Sequence, residues 1–222
     1  MNGRSGSLTT LLLVAAIAWS AAAIACGGGR KAPAALLTPD SAALAAPAPD
    51  SFDVVFETSK GNFTMRARRA WSPHGVDRFH YLAANGFFDD VRFFRTVPGF
   101  VVQFGISGNP AISAAWQDRN IPDDSVMSGN KKGRVTFAKG GPNSRTTQLF
   151  INLVDNDRLD AMGFPAFAEI IDGMSVVESL NGEYGEAPTG KQGEIAQRGN
   201  AYLAQAYPNL DYIKTARIIP GH

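Results

Sequence analysis

From Ser51 onward the chain alternates apolar and polar positions in short runs. Val54, Val55 and Phe56 open a strand-like run, Ser59-Lys60-Gly61-Asn62 reads as a turn, and Phe63 to Ala67 makes a second run. This is the signature of a β-hairpin. At Ser72-Pro73 the period changes: a capping residue precedes a proline at the first helical position. Val76, Phe79, Leu82 and Ala83 then recur at helical spacing until Gly86. The Phe79 side of that helix is expected to pack on a sheet. Further strand-like runs fall at Val91 to Val97, Phe100 to Phe104, Arg134 to Ala138, Gln148 to Leu153 and Ala166 to Ile171, with a last one at Tyr212 to Ile219. A second helix is expected at about Met174 to Leu180 and a third at Glu194 to Ala206. Between them lie long polar, Gly-rich loops: Ile106 to Gly133, Lys139 to Thr147 and Asn181 to Gln192. Many short strands with turn signals predict a mainly β fold, a sandwich or a closed barrel, and two or three helices are too few for parallel α/β alternation. The sequence has no internal repeat.

The first 50 residues have another texture. Arg4 is the only charge before Arg30, and Leu8 to Ala25 is an unbroken run of apolar and small residues ending in Ala23-Ile24-Ala25-Cys26. Small residues ahead of a cysteine suit a peptidase, and the cysteine thiol can carry a lipid. The run resembles a bacterial lipoprotein signal, with Ala23 where leucine is usual. On this reading residues 1–25 are a signal peptide and Cys26 is the lipidation site. The domain is then tethered to a membrane in the cell envelope, facing the periplasm or another extracytoplasmic space. An uncleaved anchor, short for a bilayer span, and a secretory signal with an incidental cysteine are the other readings. Residues 26–50 are rich in Gly, Ala and Pro and are expected to be a flexible linker. Residues 51–222 are expected to form the folded domain.

Composition narrows the chemistry. The chain has 222 residues, 45% of them hydrophobic and 18% charged, which suits a single packed domain with a tail. A net charge of +1 gives no electrostatic case for a nucleic-acid partner. One cysteine excludes an intrachain disulfide, and with only three histidines a Cys/His metal cluster lacks ligands. No Ser lies in a G-x-S-x-G elbow and there is no phosphate-binding glycine loop. Asp89-Asp90 and Asp123-Asp124 fall in turn-like sequence. The reading therefore implies no metal and no cofactor. Trp71 and Trp116 read as packing anchors, which leaves a carbohydrate platform without support.

Two segments are more specific. One runs Phe93-Phe94-Arg95-Thr96-Val97-Pro98-Gly99-Phe100-Val101-Val102-Gln103; the other runs Ala138-Lys139-Gly140-Gly141-Pro142-Asn143, followed by Gln148-Leu149-Phe150-Ile151. In this order, with Arg158-Leu159-Asp160, Phe164 and Phe167 after them, they resemble the cyclophilin-type peptidyl-prolyl cis-trans isomerases, over about Asp53 to Ile219. The resemblance implies a closed eight-stranded antiparallel barrel capped by two or three helices, acting as a monomer on proline-containing polypeptides. It implies catalytic roles for Arg95, Phe100, Gln103 and Phe150, and substrate contacts from Val101, Ala138, Lys139, Gln148, Leu159 and Phe164.

This chain departs from the family pattern at four single positions and in one segment, Ile106 to Asp124, which reads Ser107-Gly108-Asn109-Pro110-Ala111-Ile112 where a Gly-rich form is usual. Val101 stands where Met is usual and Lys139 where Asn is. Leu149 replaces the first of two phenylalanines, and Arg158 stands where cyclosporin-sensitive members have Trp. Those departures keep open a second function on the same fold, a proline-segment-binding chaperone or scaffold with weak catalysis. The stretch from Asn181 to Asn209 is longer and more polar than a minimal member needs, and the sequence alone assigns it no role.

Overall fold

The computed structural model describes residues 1–3 and 32–219. The signal-like run and Cys26 lie outside the described residues. Met1–Lys31 is a unit of its own, and the unit from Ala32 carries the fold.

Its frame is eight antiparallel strands. β1 (Ser51–Thr58) and β2 (Gly61–Arg68) form the expected hairpin, paired from Ser51↔Arg68 to Thr58↔Gly61. Alternate residues Val54, Phe56, Phe63 and Met65 are wholly buried, the period-2 pattern of a sheet with one face on a core. β3 (Arg95–Val97) and β4 (Val101–Phe104) make a second hairpin around Pro98-Gly99. β5 (Arg134–Phe137), β6 (Leu149–Asn152), β7 (Ala166–Asp172) and β8 (Ile213–Ile219) complete the order β3-β4-β6-β5-β7-β2-β1-β8.

The sheet is a curled half-barrel, and the expected closure by a full ladder is not seen. Its end strands β3 and β8 do not pair. The seam between them holds a single bridge, Arg92↔Tyr212, with Phe93 N donating to Asp211 O at 3.0 Å and Ile213 N to Val91 O at 2.9 Å. The run from Val91 to Val97 yields only a three-residue strand because its first half turns. Asp90 has φ +60°, and Phe88, Val91 and Phe93 drop into the core.

Two short helices, α1 (Ala34–Leu37) and α2 (Ser41–Ala45), precede the sheet. α3 (Pro73–Ala84) packs Val76, Phe79 and Leu82 on the core and ends as expected near Gly86, whose φ is +71°. α4 (Pro110–Trp116) lies inside the stretch expected to be a loop. Asn109 Oδ1 accepts from Ala111 N at 2.9 Å and Pro110 fills the first turn, while Ile112 and Trp116 are buried. This start signal was present in the sequence, but the helix is too short for its period to stand out. α5 (Arg158–Ala161), α6 (Met174–Glu178) and α7 (Gln192–Ala206) follow. α7 breaks at Gly199, whose φ of +59° and close approach to the Gly108 carbonyl leave no room for a Cβ.

The flexible linker expected over residues 26–50 is corrected from Ala32 on. Leu36 is completely buried in the core cluster. Trp116 Nε1 donates to Leu36 O at 2.9 Å, Tyr81 Oη to Ala35 O at 2.9 Å, and Ala48 N to Asp77 Oδ1 at 2.8 Å. One leucine with indole and phenol donors on either side holds an Ala-rich stretch whose composition alone could not bury enough surface. Leu36→Ala should therefore destabilise the domain by about 2–5 kcal/mol, the usual cost of a buried Leu→Ala change. Urea unfolding measures it, and an unchanged midpoint would contradict the docking.

Candidate functional site

β4 and β6 are buried at every position. Val102, Phe104, Leu149 and Ile151 face the main core. The alternate residues Val101, Gln103 and Phe150 therefore face outward. The register places Arg95 opposite Gln103, Gln103 opposite Phe150, and Phe150 opposite Thr136, so these residues form one row across four strands.

On this outer face Val101, Phe150 and Leu159 make an apolar cluster separate from the main core, with Phe100, Ala138 and Phe164 packed against it. β4 and β6 supply the floor. The chain after β6 supplies the far wall: Leu153 N and Asn156 Nδ2 donate to Phe100 O at 2.9 and 3.2 Å. α5 then brings Leu159, and Phe164 N closes back on Leu159 O at 3.1 Å. The Phe150 and Phe164 rings meet edge to face, with centroids 6.0 Å apart. Of the fourteen phenylalanines, ten lie in the main core, Phe94 packs under α7, and only Phe100, Phe150 and Phe164 reach this slot.

Beside the slot runs a chain of polar side chains. Arg95 Nη1 donates to Gln103 Oε1 at 2.9 Å, Gln103 Nε2 to Gln148 Oε1 at 2.9 Å, and Gln148 Nε2 to Gln192 Oε1 at 3.0 Å. A guanidinium can only donate, so Gln103 must turn its oxygen toward Arg95, and that choice orients both further amides. Arg95 also lies over the Phe100 ring at 5.4 Å, and Arg158 lies over the same ring at 4.9 Å. On the other side Lys139 Nζ sits 5.3 Å above Phe164 and 2.8 Å from Asp123 Oδ2.

All ten residues expected at the site thus lie around one slot. Two more that the sequence did not single out join them. Glu186 binds Arg95 through Nε at 2.8 Å and Nη2 at 2.6 Å, and Gln192 ends the amide chain. Both come from the polar stretch after α6, 91 residues from Arg95 and 44 from Gln148. No spacing rule reaches that far. Of the departures from the family pattern, Leu149 points into the core and takes no part in the slot.

The model of the family described as "Cyclophilin type peptidyl-prolyl cis-trans isomerase/CLD" matches residues 53–199. The chain belongs to the cyclophilins. Peptidyl-prolyl cis-trans isomerase B of Escherichia coli K12 is 31% identical over 150 residues, 63% of this cyclophilin and 88% of the relative. Peptidyl-prolyl cis-trans isomerase A of Dickeya dadantii is 30% identical over 138 residues, 59% and 72% of the two chains. A crystal structure of a cyclophilin-type isomerase of Cryptosporidium parvum superposes with a TM-score of 0.57 at 18% identity, covering 78% of this chain and 99% of that one. A second structure of that protein, in the presence of the dipeptide Ala-Pro, has a TM-score of 0.56 at 18% identity, covering 76% and 99%. This cyclophilin is accordingly a peptidyl-prolyl cis-trans isomerase of mainly β fold.

A buried ion cluster lies under the Lys139 side of the slot. Arg145, wholly buried, donates to Asp124 Oδ2 from Nη2 at 2.9 Å and lies 3.2 Å from Asp123 Oδ1. Burial pushes the Asp124 carboxyl up. Hydrogen bonds from Ser72, Arg145 and the Gly75 and His74 N–H groups outweigh it and hold the carboxyl below the usual carboxylate range. A carboxyl lowered in the folded state stabilises the fold above its unfolded value, about 3.9, and that contribution is lost as pH falls further. Acid unfolding should therefore steepen below about pH 4, and Asp124→Asn should flatten that limb while lowering stability at neutral pH. Identical acid limbs in the two proteins would contradict the assignment.

Proposed function

We propose that this cyclophilin is a lipid-anchored isomerase that accelerates X–Pro rotation in exported or unfolded polypeptides of the cell envelope, with Arg95 as the group that meets the reacting amide. The observation that carries the reading is the row Arg95–Gln103–Phe150 alongside an apolar slot. X–Pro rotation breaks no bond. It must pass a barrier of ~18–20 kcal/mol that comes from amide resonance. A catalyst needs to hold the ring, accept a twisted amide and stabilise the lone pair that localises on nitrogen.

Phe100, Val101, Phe150 and Leu159 offer an apolar seat for a pyrrolidine ring, with Phe164 at its edge. Burial of that ring drives binding at about 25 cal/mol per Å². Arg95 offers donors to the prolyl nitrogen, and it stays charged through the reaction. Gln103 holds Arg95 and supports the substrate carbonyl side, while Ala138, Lys139 and Gln148 flank the backbone groove. A charge-assisted hydrogen bond contributes about 1.5–3 kcal/mol. Made only in the transition state, that is a rate factor of roughly 10- to 150-fold.

A chymotrypsin-coupled peptide assay, or proline-limited refolding, on wild type, Arg95→Ala and Phe150→Ala tests the reading. Arg95→Ala should lower kcat/KM by roughly 10- to 150-fold, and Phe150→Ala should weaken peptide binding. Wild type no faster than the uncatalysed rate would sink the reading and favour a binding-only role. The anchoring rests on the Ala23-Ile24-Ala25-Cys26 run. Cys26→Ser should move the protein from the membrane fraction to the soluble fraction. Continued membrane retention of that variant would instead indicate an uncleaved anchor.

A further inference from the structure

The stretch from Asn181 to Gln192 grips the polar row at both ends: Glu186 holds Arg95, and Gln192 receives the last amide. We infer that Glu186 is a positioning residue for the isomerase reaction, fixing which edge of the Arg95 guanidinium faces the slot. The inference rests on Arg95 meeting the substrate amide.

Arginine has five N–H donors. Glu186 takes the Nε donor and one on Nη2, and Gln103 takes one on Nη1. Two are left, one on each terminal nitrogen. The bidentate pair thereby selects the terminal edge as the one offered to a ligand. Without Glu186 the guanidinium keeps one bond to Gln103 and its stack on Phe100, and it can turn about its own stem. A planar fork loses less entropy per hydrogen bond when both prongs are held.

Glu186 is itself held. Thr189 Oγ1 donates to its Oε2 at 3.0 Å, and hydrogen bonds from Arg95 keep its carboxyl below the usual carboxylate range. The stretch that carries it is pinned at several points. Asn181 N donates to Asp211 Oδ2 at 2.7 Å, and the Tyr184 and Tyr207 rings meet edge to face at 5.2 Å. Ile195 and Leu203 of α7 pack on Phe94, the residue before Arg95. The backbone at Phe94-Arg95 therefore anchors the stretch on one side and receives Glu186 on the other.

Geometry outweighs charge in this pair. The Glu186 side chain is 56% exposed, so its field at the slot is screened by water. A carboxylate acting as a brake, by neutralising Arg95, makes the opposite prediction for its removal.

Steady-state kinetics of the full chain with an X–Pro peptide decide between them. Glu186→Ala should lower kcat/KM roughly tenfold, short of the ~100-fold cost of moving a reacting group by about 1 Å. The loss should fall on kcat, with peptide Kd by NMR titration within about twofold of wild type. Glu186→Gln, which keeps one of two acceptor oxygens, should recover part of the rate. Arg95→Ala/Glu186→Ala should be no slower than Arg95→Ala alone, since one residue acts through the other. The Arg95 Nε–H resonance should broaden in Glu186→Ala while the backbone spectrum keeps its wild-type dispersion. Wild-type or higher kcat/KM in Glu186→Ala, with Arg95→Ala impaired, would overturn the positioning role. Further loss in the double variant would overturn it too. A wild-type rate in Arg95→Ala would instead remove Arg95 from the reaction.

Discussion

Strands β4 and β6 are buried on both faces, and the rest of the molecule follows from that constraint. The curled antiparallel sheet buries its concave face, here Val102, Phe104, Leu149 and Ile151, against α3 and the turn before β3, which bring Phe79, Phe88 and Phe93. The convex face has no such supply. It is covered instead by chain that leaves and returns: Leu153 to Phe164 on one side and Asn181 to Gln192 on the other. The slot is the part of the convex face that these two coverings leave apolar between them. Fold and site are one packing problem, because an apolar row must be buried yet remain reachable.

The polar row obeys a second constraint. Arg95 donates and never accepts, so the direction of every hydrogen bond from Arg95 to Gln192 is set by one residue. A chain of amides without a donor-only end could run either way. Buried, half-satisfied amides would then cost free energy in each orientation. The row is therefore stiff for a chemical reason. A stiff donor suits a reaction whose only demand is that a lone pair be met as it forms.

The hairpins and α3 with its Phe79 face could be read from local signals, and the ten slot residues from the family resemblance that the motifs and the Arg158 to Phe167 stretch carry. The local signals are alternation and the Ser72-Pro73 start. Arg95 and Gln103 share a face because a short hairpin around Pro98-Gly99 sets their register. What could not be read depends on meetings between distant segments. Leu36 looks like part of a free tether until Trp116 and Tyr81 donate to its backbone neighbourhood. Gly199 looks like a mid-helix defect until the Gly108 carbonyl lies against it. Glu186 is one of several acids in a polar stretch, and the packing of Ile195 and Leu203 over Phe94, with the Asn181 and Tyr184 contacts, carries it to Arg95. Phe94 itself reads as a plain strand residue. Its neighbour's chemistry hid its role as the anchor of α7.

Two of the three cations around the slot are paired. Arg95 is matched by Glu186 and Lys139 by Asp123. Arg158, stacked on Phe100, has no ion-pair partner among the described residues and is exposed. Its field is screened only beyond about 8–10 Å at physiological salt, so it reaches the slot beside Phe100 as well as what passes the rim. The ring itself is neutral, so its recognition falls to area burial, which is indifferent to sequence. On the proposed reading Arg95 supplies the directed interaction, at hydrogen-bond range. Such a division suits a catalyst that must accept many X–Pro segments: the apolar slot binds what they share, and the donor acts only when the amide leaves its plane. A site that instead tied its affinity to flanking charges would bind fewer clients without rotating any of them faster.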